Sequence, residues 1–379
     1  MIFVAIIITV SYLFLIGSFI YGFDKIQPFT LEDVPAKTRF SIIIPFRNEA
    51  ENLPRLLKSV EALNYPRNHF EIIFVDDASE DSSVEIIENF IAKRPFDCAQ
   101  SDIKIISNER KKESPKKDAI TSGIKKAKND WIITTDADCI LPKYWLDSFD
   151  EFIQKTNALC LAAPVTYINE NSFLNRFQLL DILSLQGATI GGFGIKKPFL
   201  CNGANFAYKK EIFQSLNGFD NNFKIASGDD IFLLEKVAKT YPKRLHYLKC
   251  EHSIVKTNAQ PGWKTLISQR IRWAAKASAY KNWLGKLTGL TVLLMNILVI
   301  AGFTLSIIGV FSLRAWIYIM IIKFNIDFYL IYKSASLFDQ KEALRSLIFG
   351  FIIYPFFSVY VAFVSLFSKY TWKGRTFKK

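Results

Sequence analysis

Two carboxylates flank a single residue in Asp136-Ala-Asp138, one of four short polar groups in this 379-residue chain that suit chemistry on a phosphorylated substrate. Carboxylate oxygens are the ligands that Mg²⁺ and Mn²⁺ prefer, and such ions bridge substrate phosphates. An acidic turn is the alternative, because a triplet of this kind is common by chance. The group directly follows an apolar run, which favours the metal interpretation.

Two further acidic pairs allow a chemical and a structural interpretation. Asp76-Asp77 could accept hydrogen bonds from a nucleotide base or ribose. In Gly228-Asp229-Asp230, one carboxylate could deprotonate an acceptor hydroxyl as a general base. Both pairs also suit the N-terminus of a helix, where Asp is a favoured capping residue.

The fourth group is Gln269-Arg-Ile-Arg-Trp273, which precedes an apolar segment. Arg272 offers a permanent cation for a leaving diphosphate. Trp273 offers a flat apolar face on which a sugar ring could stack. A belt of basic and aromatic residues beside a membrane is the alternative.

The elements that must position these groups alternate between strands and helices. Short apolar runs predict buried strands at residues 40–45, 71–75, 103–107 and 131–135. Amphipathic stretches between them predict helices at residues 52–63, 83–91 and 117–127. This alternation indicates βαβ units and a mainly parallel sheet. Ligands bind beyond the carboxyl ends of such strands, where the first two acidic groups lie.

Long apolar segments flank this region on both sides. Ile2 to Phe23 carries no charge and is long enough to cross a bilayer, so we expect a retained anchor rather than a cleaved signal. Lys25, Lys37 and Arg39 follow it, which favours a cytoplasmic catalytic domain. Three more apolar segments follow the polar region: Leu287–Leu313, Ala315–Tyr332 and Ser346–Phe367.

The last two of these segments have unusual features. Lys323 and Asp327 are four residues apart, so they share a helix face and can pair in the interior of a helix bundle. Pro355 interrupts the final segment, which is either a re-entrant hairpin or a span. A span would place the basic tail at 369–379 outside, against the usual charge rule.

Composition excludes several classes of protein. The formal net charge of +13 suits anionic lipid or a polyanionic substrate, but no nucleic-acid-binding motif accompanies it, so no nucleic-acid partner is expected. The cysteines form no CxxC pair and predict neither a zinc site nor a disulfide framework. They are Cys98, Cys139, Cys160, Cys201 and Cys250.

Together these groups resemble the family 2 glycosyltransferases, inverting enzymes with a GT-A fold, over roughly Arg39 to Lys276. The resemblance rests on an ordered set of motifs: Ser41-Ile-Ile-Ile-Pro-Phe-Arg-Asn-Glu49, Val75-Asp-Asp-Ala-Ser79, Thr135-Asp-Ala-Asp138, Gly228-Asp-Asp230 and Gln269-x-x-Arg272-Trp273. It implies an α/β, Rossmann-like catalytic domain with a mainly parallel sheet, flanked by transmembrane helices. We therefore expect an anchor at 1–24, a GT-A domain at 38–280, a transmembrane region at 285–368 and a basic tail at 369–379.

The resemblance also implies roles for individual residues. Asp230 would be the catalytic base, with Arg272 as the cation for the leaving group, and Asp138 and Asp136 would hold Mn²⁺ or Mg²⁺. Donor-binding residues would be Pro45, Asn48, Glu49, Asp77, Lys116, Asp136, Gln269 and Trp273. Acceptor-side residues would be Asn202, Gly203, Asp229 and Trp273. Pro115 replaces a glycine of the motif before Lys116, so Lys117 is a neighbouring candidate.

The implied activity is metal-dependent transfer of a sugar from a nucleotide sugar, with uridine as the expected nucleotide, to a lipid, lipid-linked or glycan acceptor. The setting would be a membrane, expected to be a bacterial cell membrane. A processive polysaccharide synthase, a non-catalytic membrane scaffold and a nucleotidyltransferase are alternatives. Residues 172–200 could form an amphipathic helix and loop at the bilayer surface, with Gly191, Gly192 and Gly194 as flexible points, or pack in a core.

Overall fold

The computed structural model describes residues 1–93, 102–111, 114–220, 228–277, 282–367, 370–372 and 375–377. Cys98 and part of the basic tail lie outside the described residues. The chain divides into two compact units, which we call the helical unit (residues 1–26, 167–200 and 259–379) and the sheet unit (residues 27–166 and 201–258). Residues 167–200 and 259–280, expected within the catalytic domain, therefore belong to the helical unit.

A seven-stranded sheet forms the centre of the sheet unit. Its strands are β1 (Phe40–Phe46), β2 (Phe70–Asp76), β3 (Asp102–Ser107), β4 (Trp131–Thr134), β5 (Cys160–Ala162), β7 (Phe206–Lys209) and β8 (Leu245–Tyr247). They lie in the order β3-β2-β1-β4-β7-β5-β8. Strands β6 (Val165–Tyr167) and β9 (Val255–Thr257) form a second, two-stranded sheet. The four strands predicted from apolar runs are confirmed.

The sheet is mainly parallel, as the alternation of elements predicts. Strands β3, β2, β1 and β4 run parallel to one another, β5 is parallel to β8, and β7 is antiparallel to both of its neighbours. Ile42, Ile44, Ile72 and Phe74 are fully buried. Near-continuous apolar strands of this kind are typical of a parallel sheet covered on both faces.

Helices of the sheet unit pack through apolar stripes at helical spacing. In α2 (Leu53–Glu61), Leu53, Leu56, Leu57 and Val60 are buried, and their spacing places them on one face. The others are α3 (Ser83–Ala92), α4 (Pro115–Lys126), α5 (Trp145–Lys155), α7 (Lys210–Ser215) and α8 (Asp229–Thr240). The three helices predicted from the sequence correspond to α2, α3 and α4.

The helical unit contains six α-helices and a short C-terminal hairpin within its described residues. They are α1 (Ile2–Lys25), α6 (Phe173–Gly194), α9 (Trp263–Ala277), α10 (Trp283–Ile307), α11 (Leu313–Leu337), α12 (Leu347–Phe367), and strands β10 (Tyr370–Trp372) and β11 (Arg375–Phe377). Four segments of the described chain are long and apolar enough to span a membrane: Ile2–Lys25, Trp283–Ile307, Leu313–Leu337 and Lys341–Phe367. The protein is thus a membrane protein.

Helix α6 differs from the amphipathic surface helix considered from the sequence. Its residues are buried without interruption from 177 to 183 and from 186 to 193. A helix buried on all sides is a core element, so the amphipathic interpretation is wrong and the packing alternative holds. The helix is held inside the helical unit, where Phe177 packs edge-on against Phe357 of α12.

The glycines of α6 serve close helix packing rather than flexibility. A Cβ atom on Gly194 would lie 1.8 Å from the carbonyl oxygen of Gly22 in α1, and one on Gly191 would lie 2.4 Å from the carbonyl oxygen of Phe19. Small residues let two helix backbones approach this closely in membrane proteins. The expectation of flexible points at Gly191, Gly192 and Gly194 is therefore wrong.

Two features of the predicted spans have clear outcomes. Lys323 and Asp327 form an ion pair with an Nζ–Oδ2 distance of 2.5 Å, as their spacing predicts. Pro355 lies inside the continuous helix α12, so the re-entrant hairpin is not formed. Neighbouring helices can tolerate proline inside a membrane helix by satisfying the freed backbone groups.

Candidate active site

Three of the predicted acidic and polar groups follow parallel strands at the same edge of the sheet. Phe46, the last residue of β1, is in register with Asp76, the last residue of β2. Strand β4 pairs with β1 in the same direction and ends at Thr134, just before Asp136. The carboxyl ends of these strands therefore deliver the first loop, Asp77 and the Asp136-Ala-Asp138 group to one edge.

The loop after β1 is tied to the loop after β2. Asn48 has a positive φ of 51°, a conformation that asparagine tolerates better than most residues. Its side-chain oxygen accepts a hydrogen bond from the Glu80 amide at 2.8 Å, and the Glu49 amide donates to the Ser83 hydroxyl at 2.8 Å. Pro45 lies within β1, in register with Val75. These contacts fix the shape of the predicted donor loop.

The two acids after β2 have different surroundings. Asp76 accepts a hydrogen bond from the Ser79 amide at 2.9 Å, which is a local turn contact. Asp77 is buried, and its Oδ1 atom accepts from the Arg110 Nε atom at 2.6 Å and from the Asn108 side-chain nitrogen at 2.7 Å. Helix capping is thus not what holds Asp77, and its contact with a base or ribose stays a prediction.

Lys116 lies between two of the acidic groups. Its Nζ atom is 2.5 Å from Oδ1 of Asp136 and 4.0 Å from Oδ2 of Asp229. Burial lowers the pKa of Lys116, but Asp136 and Asp229 outweigh that effect and raise the pKa above its usual value. A single cation therefore connects the group after β4 with the group at the start of α8.

Pro115 explains how Lys116 reaches this position without the glycine of the motif. Proline is the first residue of α4, where its missing N–H costs no helical hydrogen bond and its fixed φ suits the helix. Lys117 is fully buried instead, with its Nζ atom 4.6 Å from the centre of the Phe232 ring. Burial lowers the pKa of Lys117 to about 8. Of the two candidates, Lys116 is the one paired with Asp136.

Asp138 lies where negative charge is concentrated. Burial and, after it, the nearby carboxylates of Asp136 and Glu49 together raise the pKa of Asp138 to about 6. A carboxylate in such surroundings is stabilised by a cation, which offsets both the burial and the like charges. The chemistry of this position therefore fits a divalent metal.

A metal that is shared with substrate requires few protein ligands. No group of three or more His, Cys, Asp or Glu side chains with metal-binding geometry occurs in the described part of the chain. Mg²⁺ is commonly held by one or two carboxylates together with substrate phosphates. Asp138 and Asp136 would be such a partial set, and their role as metal ligands stays a prediction.

Asp229 and Asp230 begin helix α8. The capping position is Gly228, whose φ of 84° is left-handed and suits glycine, so neither acid is the N-cap. Both carboxylates lie in the first turn, where the helix dipole favours negative charge. Oδ2 of Asp230 accepts a hydrogen bond from the Gly203 amide at 3.0 Å. The predicted base is thereby joined to the predicted acceptor segment.

The acceptor segment is a single 3₁₀ turn packed against these acids. The side chain of Asn202 accepts from the Ala204 amide at 3.0 Å, and Thr134 of β4 donates its hydroxyl to the Gly203 carbonyl at 2.7 Å. A Cβ atom on Gly203 would lie 3.1 Å from Oδ2 of Asp229. Gly203 therefore permits the close approach of this turn to the start of α8.

The remaining predicted residues, Gln269, Arg272 and Trp273, lie on α9 in the helical unit. Arg270, which the motif leaves unspecified, organises two of them. Its Nε atom donates to Oδ2 of Asp181 at 2.6 Å, its Nη1 atom donates to Gln269, and its guanidinium lies 4.2 Å from the centre of the Trp273 ring. No sequence signal distinguishes Arg270 from a basic residue at a membrane surface, because its partner is 89 residues away.

The structure thus brings one set of predicted residues together in the sheet unit. Lys116, Asp136 and Asp229 are joined by ion pairs, and Asp230 and Gly203 by a hydrogen bond. Asn205, from the same turn, is a structural residue. It donates to the carbonyl oxygens of Pro164 and Ser253 and accepts from the Trp145 indole.

Comparison with known protein families gives two overlapping matches. Residues 41–216 match the model described as glycosyl transferase family 2, and residues 131–332 match the model described as glycosyl transferase family group 2. The first match includes the acids after β2 and β4. The second includes Asp230 and the α9 residues.

Individual relatives agree with these matches. Poly-beta-1,6-N-acetyl-D-glucosamine synthase of Staphylococcus epidermidis is 25% identical over 280 residues, which cover 70% of this chain and 62% of the relative. Undecaprenyl-phosphate 4-deoxy-4-formamido-L-arabinose transferase of Pseudomonas savastanoi is 40% identical over 99 residues, 26% of this chain and 27% of the relative. The chain thus spans less than two thirds of each relative.

A solved structure shows the same fold. Mannosyltransferase PcManGT of Pyrobaculum calidifontis, solved with GDP-Man and Mn²⁺, aligns with a TM-score of 0.56 at 15% identity. The alignment covers 97% of this chain and 99% of that protein. The similarity supports the GT-A architecture of the α/β fold.

Proposed function

Since the chain belongs to glycosyl transferase family 2, we propose that it is a membrane-bound inverting enzyme that transfers a sugar from a nucleoside-diphosphate sugar, expected to carry uridine, to a lipid or lipid-linked acceptor. The observation that carries the proposal is the convergence of two acidic elements on Lys116, which is 2.5 Å from Asp136 and 4.0 Å from Asp229. Donor phosphates need a cation, and acceptor activation needs a carboxylate. This site supplies both.

The donor would bind over the carboxyl ends of β1, β2 and β4. Asp77 is held rigidly by Arg110 and Asn108, which suits a group that selects one orientation of a base or ribose. Asn48 and Glu49 belong to a loop that is fixed by hydrogen bonds to the neighbouring loop. Binding sites of this kind are largely formed before the ligand arrives.

Asp138, with Asp136 beside it, would hold a divalent cation. When bound, that cation would supply positive charge for the departing diphosphate. The raised pKa of Asp138 supports this assignment, because the burial and like charges that raise it are offset by a bound cation. The roles implied for Gln269, Arg272 and Trp273 remain predictions.

Asp230 would accept the proton of the acceptor hydroxyl. Its carboxylate is fixed by the Gly203 amide at 3.0 Å and by the Ile231 amide at 2.8 Å, so its position is defined before substrate binds. As the acceptor oxygen attacks the anomeric carbon from the face opposite the diphosphate, the configuration inverts. Proton acceptance by a positioned carboxylate contributes about 10²- to 10⁴-fold in rate.

A lipid acceptor is supported by the membrane helices and by one relative. Four segments of the described chain can span a membrane, and a relative is named for transfer involving undecaprenyl phosphate. A processive polysaccharide synthase is the second candidate, favoured by the longer match to a poly-N-acetylglucosamine synthase. The catalytic domain is proposed to be cytoplasmic, as Lys25, Lys37 and Arg39 indicate.

A donor screen tests the proposal. The full-length protein in detergent is incubated with nucleotide sugars, Mn²⁺ or Mg²⁺ and a total lipid extract, and products are read by mass spectrometry. We expect one sugar mass added to a lipid, loss of product with EDTA, and loss of product in Asp230→Asn. The matched control is Glu211→Gln, which neutralises an exposed carboxylate outside the site.

The other outcomes are equally informative. A ladder of sugar masses would assign the chain to the processive synthases. Turnover that persists unchanged in EDTA would overturn the metal assignment. Absence of donor turnover from folded protein would refute the proposed activity and favour a scaffold.

A further inference from the structure

A cavity of about 160 Å³ lies inside the helical unit. Its walls come from α1, α6, α10, α11 and α12 and are mostly apolar, with Ile16, Leu180, Val292, Phe324, Leu330 and Phe351 among the lining residues. Four of these five helices contain the candidate spans. The cavity is therefore lined mainly by helices that contain the candidate membrane spans.

The charged groups that line the cavity pair with other residues. Lys323 bonds to Asp327 at 2.5 Å, and Asp327 also accepts a hydrogen bond from the Tyr12 hydroxyl at 2.6 Å. Asp181 pairs with Arg270 at 2.6 Å. The positive and negative charges of these groups balance, so the lining does not attract an ionic ligand.

One polar atom in the lining lacks a partner. The hydroxyl oxygen of Thr288 in α10 is buried and has no hydrogen-bond partner among the described residues. A buried polar group without a hydrogen bond costs about 1–3 kcal/mol. A ligand that places an oxygen beside Thr288 would remove this cost. Apolar walls with a few convergent polar groups are the usual features of a small-molecule site.

We propose that this cavity binds the hydrocarbon part of a lipid that carries an uncharged oxygen, such as a hydroxyl or ester, near Thr288. An apolar cavity of about 150 Å³ takes a ligand the size of benzene, so this one accommodates a segment of about six carbons from a single chain. The balanced charges exclude an anionic headgroup from the cavity itself. This inference rests on the proposed function, in which such a lipid would accept the sugar.

Photolabelling of the unmodified protein gives the first test. The full-length protein in nanodiscs is irradiated with a diacylglycerol analogue that carries a diazirine in its acyl chain, and labelled peptides are mapped by mass spectrometry. We expect labels on the cavity-lining segments Phe177–Ala188 and Phe324–Ile331, competed by unlabelled diacylglycerol. Labels confined to exposed residues such as Leu294 and Phe363 would overturn the proposal.

A matched pair of substitutions gives the second test. Val292→Phe fills the cavity, whereas Ile297→Phe adds the same ring on the exposed side of the same helix. We expect Val292→Phe to reduce cavity labelling and transfer to lipid at least tenfold, and Ile297→Phe to change neither. Donor hydrolysis without acceptor should be equal in both, which separates this proposal from the proposed function.

A gentler variant covers the case in which Val292→Phe does not fold. Thr288→Val keeps the side-chain size and removes the unpaired hydroxyl, so we expect a several-fold weaker competition by diacylglycerol and a higher melting temperature of the ligand-free protein. Equal labelling and equal lipid transfer in Val292→Phe and Ile297→Phe would refute the cavity as the lipid site. Loss of donor hydrolysis in the parent protein would instead refute the proposed function.

Discussion

Replacement of Asp138 by asparagine should stabilise the metal-free protein while it abolishes metal-dependent donor binding. Asparagine keeps the size of the side chain and one of its oxygens, and removes a negative charge that burial, Asp136 and Glu49 disfavour. The pKa of Asp138 is raised from 3.8 to about 6. At about 1.4 kcal/mol for each pKa unit, the ionised carboxylate costs up to about 3 kcal/mol of folding free energy.

The stability advantage of Asp138→Asn depends on pH, because the folded and unfolded proteins bind the Asp138 proton with different affinity. Well below pH 3.8 the carboxyl group is protonated in both the folded and the unfolded protein, so it costs nothing. The cost grows as pH rises through the interval between 3.8 and about 6, and it is complete above that interval. The advantage of Asp138→Asn should therefore be about 3 kcal/mol at pH 7.5 and about half of that at pH 5.

Thermal unfolding followed by tryptophan fluorescence measures the difference. An advantage of 1 kcal/mol corresponds to about 2–4 °C in a domain of 150–250 residues, so the expected rise at pH 7.5 is several degrees. Mn²⁺ with UDP should raise the melting temperature of the parent protein and leave that of Asp138→Asn unchanged. Only the parent retains the Asp138 carboxylate that is proposed to bind the metal.

Asp136→Asn is the matched control, because only Ala137 separates Asp136 from Asp138 in the sequence. It leaves Lys116 without its 2.5 Å partner, so it should destabilise the metal-free protein rather than stabilise it. Suppose that Asp138→Asn is no more stable than the parent at pH 7.5 without metal. The surroundings of Asp138 would then not disfavour its ionised carboxylate. The main argument for a cation at that position would then fail.

Three further predictions test other contacts. Asp230→Asn should reduce sugar transfer by at least 10²-fold with the donor Kd unchanged by calorimetry; transfer at the parent rate would exclude it as the base. Arg270→Gln should reduce transfer and alter the fluorescence of Trp273, whereas Arg270→Lys should restore little, because lysine lacks the planar guanidinium that lies over the ring. Gly194→Ala should lower the melting temperature, because its Cβ atom would lie 1.8 Å from the Gly22 carbonyl; unchanged stability would contradict the helix contact.

The elements of the sheet unit were predictable because their signals are local. The apolar runs of β1, β2, β3 and β4 fix both the strands and their buried faces, and a parallel sheet brings their ends to one edge. Asp77 and the acids after β4 could therefore be placed from the sequence alone. Helix α6 could not, because polar residues such as Gln178 and Asp181 interrupt its apolar pattern although both are buried.

Contacts between distant residues explain what the sequence did not reveal. Lys116 and Asp136 are 20 residues apart and belong to different elements, so their ion pair depends on the tertiary fold. The burial of Asp181 is possible because Arg270, 89 residues later, neutralises it. By contrast, Lys323 and Asp327 lie on one helix, and helical spacing alone predicts their pair.

The buried Arg270–Asp181 pair and the partly exposed Lys116–Asp136 pair have roles other than stability. Removing two charges from water costs several kcal/mol for each ion, and apolar residues of similar size often stabilise a fold as well or better. Yet Lys116–Asp136 lies in the acidic site, and Arg270–Asp181 joins α9 to α6 while fixing Gln269 and the Trp273 ring. Asp181 also lines the cavity in the helical unit, so one carboxylate takes part both in the cavity wall and in the anchoring of α9. A ligand that packs against Asp181 therefore contacts the residue that holds Arg270.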